Sequence, residues 1–146
     1  DSIRVIGRDN ARTPMQWDES KNAGFSTGQP WLAVNPNYQA INVQEALANP
    51  DSIFYTYQKL VQIRKENSWL IRADFELLET ADKIFAYIRK DGERRFLVVA
   101  NLSNEKQDLT VEGKVKSVLI ENTLAKEVFE KQILAPWDAF CVELID

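Results

Sequence analysis

The spacing of apolar residues divides the chain into an irregular first part, one helical stretch and a series of short strands. Residues 1–50 show no sustained period and contain three groups of turn-forming residues, at Asn22-Ala23-Gly24, Thr27-Gly28-Gln29-Pro30 and Asn35-Pro36-Asn37. An irregular segment this long inside a compact domain is usually functional. The pattern predicts a long loop, interrupted by a short helix from Ile41 to Ala48 that Asn49-Pro50 ends.

Residues 51–67 have the pattern of an amphipathic helix. Asp51-Ser52 supplies an N-cap. Apolar residues then recur at spacings of three and four, at Ile53, Phe54, Tyr57, Leu60 and Val61. The charged residues lie mostly on the other side, so we predict one long helix that needs a partner surface.

From about Ala73 onwards, the apolar pattern becomes strand-like, and no further helix is predicted. The predicted strands are Phe75–Glu79, Ile84–Arg89, Phe96–Asn101, Leu109–Glu112, Ser117–Glu121, Val128–Leu134 and Phe140–Leu144. Asp91-Gly92 predicts a hairpin turn, with the basic residues around it in solvent. Short strands in succession imply an antiparallel sandwich or meander, in which Cys141 is expected to be a small core residue.

Composition and charge narrow the classes of function. The net charge of −4 disfavours nucleic acid and anionic membrane surfaces as partners. No apolar run approaches the ~20 residues of a membrane span, and the first residues resemble no signal peptide. The chain starts without Met, so we expect it to be a portion of a longer protein. One cysteine excludes an internal disulfide and fits a reducing, cytoplasmic compartment.

The chain contains no histidine, which removes several chemistries at once. Neither a Ser-His-Asp nor a Cys-His nucleophile system can be assembled. A metal site with histidine ligands is excluded as well. General acid–base catalysis could come only from carboxylates, Lys, Tyr or the cysteine. We predict no cofactor and no metal for this chain.

The segment from Arg8 to Asp18 concentrates the polar chemistry of the chain. It reads Arg8-Asp9-Asn10-Ala11-Arg12-Thr13-Pro14-Met15-Gln16-Trp17-Asp18. Pro14 interrupts a helix and removes a sheet donor, so irregular backbone is expected. Guanidinium and amide groups beside an aromatic ring are what a ligand rich in hydroxyl groups requires. The segment is therefore the candidate binding site.

This segment, followed by Asn22-Ala23-Gly24-Phe25, resembles a signature of the α-amylase superfamily, in the oligo-1,6-glucosidase branch of glycoside hydrolase family thirteen. The similarity continues at Val34–Tyr38, Ile41-Asn42-Val43, Asp51–Phe54, Leu60–Lys65 and Pro136–Phe140. Within the branch, the chain is most similar to the glucan 1,6-α-glucosidases, or dextran glucosidases. The resemblance covers nearly the whole chain and is strongest in its first half.

The resemblance implies an architecture. It is mainly β with one long helix: an antiparallel β-sandwich-like C-terminal domain, preceded by the last loop and helix of a (β/α)8 barrel. Residues 1–72 would supply the last active-site loop and terminal helix of the incomplete catalytic barrel, and residues 73–146 the β-domain. The barrel strands that carry the family's catalytic carboxylates would then lie upstream. No catalytic residue is therefore expected in this chain, which should be inactive alone.

The resemblance also implies the site residues. Arg12 matches the family's pocket-floor arginine, which pairs with an aspartate near the start of the enzyme and fixes the hydroxyls of the terminal glucose. Arg8 lies close to the same pocket or its rim. A salt bridge within the scaffold is the other interpretation of Arg12, and Asp9 and Asp18 could simply neutralise Arg8. Asp9 is expected to be structural, and Trp17 to anchor the loop or to stack on a sugar.

The implied function is exo-acting, retaining hydrolysis of α-1,6-glucosidic bonds in isomaltooligosaccharides or dextran fragments. The same portion of an oligo-1,6-glucosidase or of a trehalose-6-phosphate hydrolase is an alternative. A non-catalytic carbohydrate-binding or interaction module is an alternative of another class. The expected partners are an oligosaccharide substrate and the missing barrel. Trp17, Phe25 and Trp31 could also make the isolated chain self-associate.

Overall fold

Residues 8–145 are described by a computed structural model, without the side chains of Arg8 and Asn10. The chain divides into two units, one that ends at Lys59 and one that begins at Leu60. The first unit contains short 3₁₀ turns at Arg8–Ala11, Lys21–Gly24 and Pro36–Gln39, and helix α1 at Val43–Ala48. Helix α2, Ile53–Glu66, contributes to both units.

Both predicted helices of the first half are present. Asn42 caps α1, because its side-chain Oδ1 accepts a hydrogen bond from the Glu45 N–H at 2.9 Å. Helix α2 begins two residues after Asp51, close to the predicted bound. None of its residues is buried, and Ile53 and Tyr57 on its apolar side are 87% and 69% exposed. The apolar side predicted from the sequence is therefore an open surface in this chain.

The second unit is built on antiparallel sheets. After a 3₁₀ turn at Ser68–Ile71, the strands are β1 (Asp74–Leu77), β2 (Ile84–Asp91), β3 (Arg94–Asn101), β4 (Gln107–Asp108), β5 (Lys114–Glu121), β6 (Ile133–Leu134) and β7 (Ala139–Ile145). Five of them form a sheet in the order β1-β2-β3-β7-β5, and β4 pairs with β6. Helix α3, Ala125–Lys131, precedes β6. The predicted antiparallel β-domain is confirmed.

The core lies on one face of the five-stranded sheet. In β2 the alternate residues Ile84, Ala86 and Ile88 are buried, as period-two patterning requires. They cluster with residues of the other strands and of α3, among them Leu97, Val99, Leu109, Val128, Leu134, Phe140 and Val142. The predicted Asp91-Gly92 turn is present. Asp91 at the end of β2 pairs with Arg94 at the start of β3, and Gly92 between them has φ +62°.

Two predicted strands are wrong. The first part of the predicted strand Val128–Leu134 belongs to α3, because Ala125 and Val128, three apart, bury one side of a helix. Gln132 ends the helix in the left-handed region at φ 54°, and only Ile133–Leu134 remains as strand. The predicted strand Leu109–Glu112 is irregular, although Leu109 reaches the core with 1% exposure.

Cys141 does not lie in the core cluster. It is half-buried and stands between Phe140 and Val142 in β7, so its side chain points to the opposite face of the sheet. Loss of solvation raises the pKa of the Cys141 thiol to about 11. It is therefore protonated at neutral pH and a weak nucleophile. None of the helices in the described chain combines the length and apolarity needed to span a bilayer.

Candidate substrate-binding loop

The candidate arginine Arg12 follows a single 3₁₀ turn at Arg8–Ala11. Its N–H donates to the Asp9 carbonyl at 3.0 Å, which closes that turn. Its guanidinium Nη1 lies 3.7 Å from Asp9 Oδ1, and the two side chains are 51% and 60% exposed. An exposed pair at this distance is weak, so most of the Arg12 guanidinium remains available to other acceptors. The side chain of Arg8 lies outside what the structure describes.

Downstream of Arg12, the backbone of Gln16 and Trp17 is tied to the start of α1. The Val43 N–H donates to the Gln16 carbonyl at 2.9 Å, and the Gln44 N–H donates to the Trp17 carbonyl at 3.0 Å. Gln16 adds its side chain to the same attachment. Its Nε2 donates to Asn37 Oδ1 at 3.0 Å and to the Ile41 carbonyl.

The other side of this segment is held by a left-handed turn. Asn22, Ala23 and Gly24 have φ of 58°, 58° and 66°. The turn presents the Ala23 carbonyl to the N–H groups of Trp17, at 2.8 Å, and Asp18, at 3.3 Å. A buried alanine in this region is uncommon, because its Cβ crowds the following carbonyl at a cost of roughly 1–2 kcal/mol. Such strain persists only where the surroundings enforce it.

Asn22 and Asp18 stabilise the turn through their side chains. Asn22 Nδ2 donates to the carbonyls of Ser26, at 3.0 Å, and Gly28, at 2.9 Å. Asp18 Oδ1 accepts from the Ser20 hydroxyl and from the Ser20 N–H at 2.8 Å. These hydrogen bonds lower the pKa of the Asp18 carboxyl, the hydroxyl having the larger effect. Asp18 is thus bound by the hydroxyl and the N–H of Ser20, whereas Asp9 has only the weak pair with Arg12.

The aromatic residues around the loop are exposed. Trp17 is 50% exposed, Phe25 48% and Trp31 87%. Met15 adds another half-exposed apolar side chain. None of these side chains is buried in the first unit, so the aromatic surface of the loop is open to a ligand or to another protein surface.

A second polar cluster, in the β-domain, surrounds Glu143. This carboxylate is 6% exposed and accepts from Arg94 Nε at 3.0 Å, Lys116 Nζ at 3.0 Å and the Ser117 hydroxyl at 3.2 Å. The hydrogen bond from Arg94 contributes most to lowering the pKa of Glu143 to about 2. Glu143, Arg94 and Lys116 line an open cleft with a volume of about 600 Å³. Because the carboxylate is fully partnered, we assign it a structural role.

The basic residues at the hairpin are therefore not all solvated, contrary to the prediction. Arg94 pairs with Glu143 and lies over the Phe96 ring, 4.7 Å from its centroid. Arg89 donates through Nη2 to the carbonyls of Leu70, at 2.9 Å, and Ala73, at 2.8 Å. Sequence alone does not reveal the partners Glu143, Leu70 and Ala73, because they lie far from the two arginines along the chain.

Comparison with known proteins connects this geometry to a family. The family model described as alpha amylase, catalytic domain, matches residues 1–73, which is half of the chain. The chain belongs to the α-amylase family. The model described as alpha-amylase SusG C-terminal domain matches residues 84–138, the range from β2 to β6. The two matches follow one another along this α-amylase-family chain.

Curated relatives are similar over nearly the whole chain. A glucan 1,6-alpha-glucosidase of Streptococcus pneumoniae serotype 4 is 92% identical over 145 residues, 99% of this chain and 27% of the relative. An oligo-1,6-glucosidase of Bacillus cereus is 53% identical over 105 residues, 71% of this chain and 19% of that protein. The chain therefore spans only a fraction of the length of these relatives.

The solved structures agree with the fold. A trehalose-6-phosphate hydrolase of Bacillus licheniformis superposes with a TM-score of 0.85 and 34% identity. The superposition covers 99% of this chain and 27% of the hydrolase. An isomaltulose synthase of Klebsiella sp. LX3 superposes with a TM-score of 0.83 and 32% identity, over 94% of this chain. The α-amylase-family fold is thus shared by relatives with different names.

Proposed function

We propose that this chain is the C-terminal portion of an exo-acting, retaining α-glucosidase that hydrolyses α-1,6-glucosidic bonds in isomaltooligosaccharides or dextran fragments. The observation that carries the proposal is the 92% identity to a glucan 1,6-alpha-glucosidase over 99% of the chain. At that identity, we expect the β-domain to have the same function in both proteins. We expect the same of the loop that contains Arg12.

The chain contributes substrate binding rather than bond cleavage. Retaining hydrolysis needs two carboxyl groups about 5–5.5 Å apart, facing the scissile bond. Asp18 is hydrogen-bonded to Ser20, and Asp9 makes an exposed, weak pair with Arg12, so we propose structural roles for both carboxylates. The catalytic carboxylates are proposed to lie in the remainder of the longer protein, and this chain alone should be inactive.

Arg12 is proposed to hold the hydroxyls of the terminal glucose at the floor of the pocket. Its guanidinium carries five donors in a rigid fork and stays charged at any working pH. The exposed, weak pairing with Asp9 supports this role, because a stronger acceptor can replace it. Arg8, on the preceding 3₁₀ turn, is proposed to lie near the same pocket or its rim.

Residues 1–72 are proposed to complete the barrel, and residues 73–146 to form the β-domain that stabilises it. The exposed apolar side of α2 supports the proposal that the barrel is the partner of this chain. In isolation, Trp31 and its exposed neighbours are proposed to drive self-association, which light scattering can detect. We place the enzyme in the cytoplasm, and propose neither a nucleic-acid nor a membrane partner.

The alternative enzyme is a trehalose-6-phosphate hydrolase, which the superposition on the Bacillus licheniformis structure supports at 34% identity. The experiment is to assay the longer protein on isomaltose-type oligosaccharides, maltose and trehalose 6-phosphate. We expect the highest kcat/KM on the α-1,6-linked substrates. A higher kcat/KM on trehalose 6-phosphate would move the function to the alternative.

A carbohydrate-binding module, which is not an enzyme, is the alternative from another class of protein. Calorimetric titration of residues 73–146 with isomaltooligosaccharides tests it. A scaffold domain should give no heat of binding. Saturable binding by this part alone would contradict the assignment of the β-domain to a purely structural role.

A further inference from the structure

We propose that Gln16 is the positioning residue of Arg12, and that it acts through its side-chain hydrogen bonds to Asn37 and Ile41. The inference deepens the proposed function, because it rests on Arg12 as the substrate-binding arginine. It assigns to Gln16 no contact with substrate. Its role is to fix the backbone from which Arg12 extends.

Gln16 has three attachments to the segment between Asn37 and Val43. Its carbonyl accepts from the Val43 N–H at 2.9 Å, and its Nε2 donates to Asn37 Oδ1 at 3.0 Å and to the Ile41 carbonyl. A backbone carbonyl can only accept, so Ile41 fixes the orientation of the Gln16 amide. Both amide hydrogens are therefore used, and no other amino acid supplies two such donors with the same shape.

The neighbouring residues hold the same segment from its other side. Trp17 and Asp18 donate to the carbonyl of Ala23 in the strained left-handed turn. The segment is therefore fixed between two loops, and Gln16 is the residue whose side chain connects it to the second loop. Strained backbone that is held in place by such contacts is typical of functional sites.

The link from Gln16 back to Arg12 is short and stiff. Only Thr13, Pro14 and Met15 lie between them. The Pro14 ring fixes its own φ, and it also restricts Thr13 to extended conformations. Pro14 is buried, which further limits its movement. A displacement of Gln16 is therefore transmitted to Arg12 instead of being absorbed by a flexible linker, and a misplacement of about 1 Å costs on the order of 100-fold in rate.

The substitution Gln16→Glu isolates this role. Glutamate keeps the size of the side chain but replaces the NH2 donor with a carboxylate oxygen. That oxygen can only accept, and it would face two other acceptors, Asn37 Oδ1 and the Ile41 carbonyl. Asn37→Asp is the matched test of the partner, because it keeps an acceptor opposite Gln16. Gln44→Glu is the control: Gln44 is exposed, lies on the same side of the loop and uses only its backbone to bind Trp17 in the contacts described.

The experiment is a double-mutant cycle in the longer protein, measured as kcat/KM on an α-1,6-linked oligosaccharide. We expect Gln16→Glu to lower kcat/KM by roughly 10- to 100-fold, and Asn37→Asp and Gln44→Glu by less than about threefold. In an Arg12→Ala background, Gln16→Glu should have an effect of less than about threefold, because its target is then absent. Thermal melting checks that each variant is folded.

The outcomes separate this inference from the proposed function. Equal losses from Gln16→Glu with and without Arg12 would overturn the positioning role and leave the function of Arg12 intact. An Arg12→Ala variant with full activity would overturn the role of Arg12 itself. Should Gln16→Glu fail to fold, Gln16→Met removes both donors without adding a charge, and the same non-additivity with Arg12→Ala is expected from it.

Discussion

Trp69 stacks on Phe96 with the ring centroids 3.8 Å apart and 14° between the ring planes. Trp69 lies on the 3₁₀ turn Ser68–Ile71 and Phe96 on β3, so the stack connects the chain just after α2 to the sheet. Trp69 Nε1 donates to Asn67 Oδ1 at 2.9 Å, and both rings are almost fully buried. This stack lies on the sheet face opposite the core cluster, because Phe96 precedes the core residue Leu97 in β3.

Trp69→Ala should therefore destabilise the β-domain by about 3–5 kcal/mol, the usual cost of removing a large buried aromatic ring. Urea denaturation followed by circular dichroism measures the loss. Trp31→Ala is the matched control, because Trp31 is 87% exposed and its removal should change the free energy of unfolding by less than about 0.5 kcal/mol. Equal effects from the two substitutions would contradict the buried stack.

Glu143 makes the stability of the β-domain depend on pH. Its carboxyl has a pKa of about 2 when folded, below the ordinary 4.5, chiefly because Arg94 donates a hydrogen bond to it. The unfolded chain therefore takes up the proton first as the pH falls. The stabilisation is complete above about pH 4.5 and is lost as the pH falls towards about 2.

Glu143→Gln should flatten this part of the stability curve and lower the free energy of unfolding at neutral pH by about 1–3 kcal/mol. Unfolding titrations between pH 2 and 7 test it, with Glu130→Gln as the exposed control from the same unit. A variant whose stability falls as steeply in acid as the parent's would show that another group is responsible.

Gly24 is the position in the left-handed turn where a side chain should be tolerated least. Its φ is +66°, and an added Cβ would lie 2.6 Å from Asp18 Oδ2. Because Ser20 holds that carboxylate, Gly24→Ala should strain the turn by about 1–2 kcal/mol. Hydrogen exchange of the Trp17 amide, which donates to Ala23, should become faster.

Gly28→Ala is the control for this substitution. The nearest atom to a Cβ at Gly28 is the Ser26 hydroxyl oxygen, at 3.8 Å, and no unusual φ is required there. Unchanged exchange at Trp17 is expected. The same result from Gly24→Ala would contradict the assignment of strain to the turn.

The sequence predicts the antiparallel sheet well, because period-two burial in β2 and β3 is strong and Asp91-Gly92 marks their turn. It fails at α3 for a physical reason. The predicted strand Val128–Leu134 is short, and one of the two buried residues of α3, Ala125, lies before it. A short apolar run does not distinguish a helix from a strand.

The candidate site is predicted less completely. The resemblance of its segment to a family identifies Arg12 as a site residue, and the weak pair with Asp9, three residues away, is the kind of contact that the sequence suggests. The side chain of Gln16 binds Asn37 and the Ile41 carbonyl. Its partners lie 21 and 25 residues away along the chain, so no local pattern in the sequence identifies them.

The most direct test of the account is the kcat/KM of the longer protein and of its Arg12→Ala variant on an α-1,6-linked oligosaccharide. We expect a loss of roughly 2–4 kcal/mol of transition-state stabilisation, about 30- to 1,000-fold in kcat/KM, with an unchanged melting temperature. Asp9→Asn, which removes the charge that pairs with Arg12 in this chain, should cost far less. A folded Arg12→Ala variant with the activity of the parent would contradict the assignment of this loop to the substrate pocket.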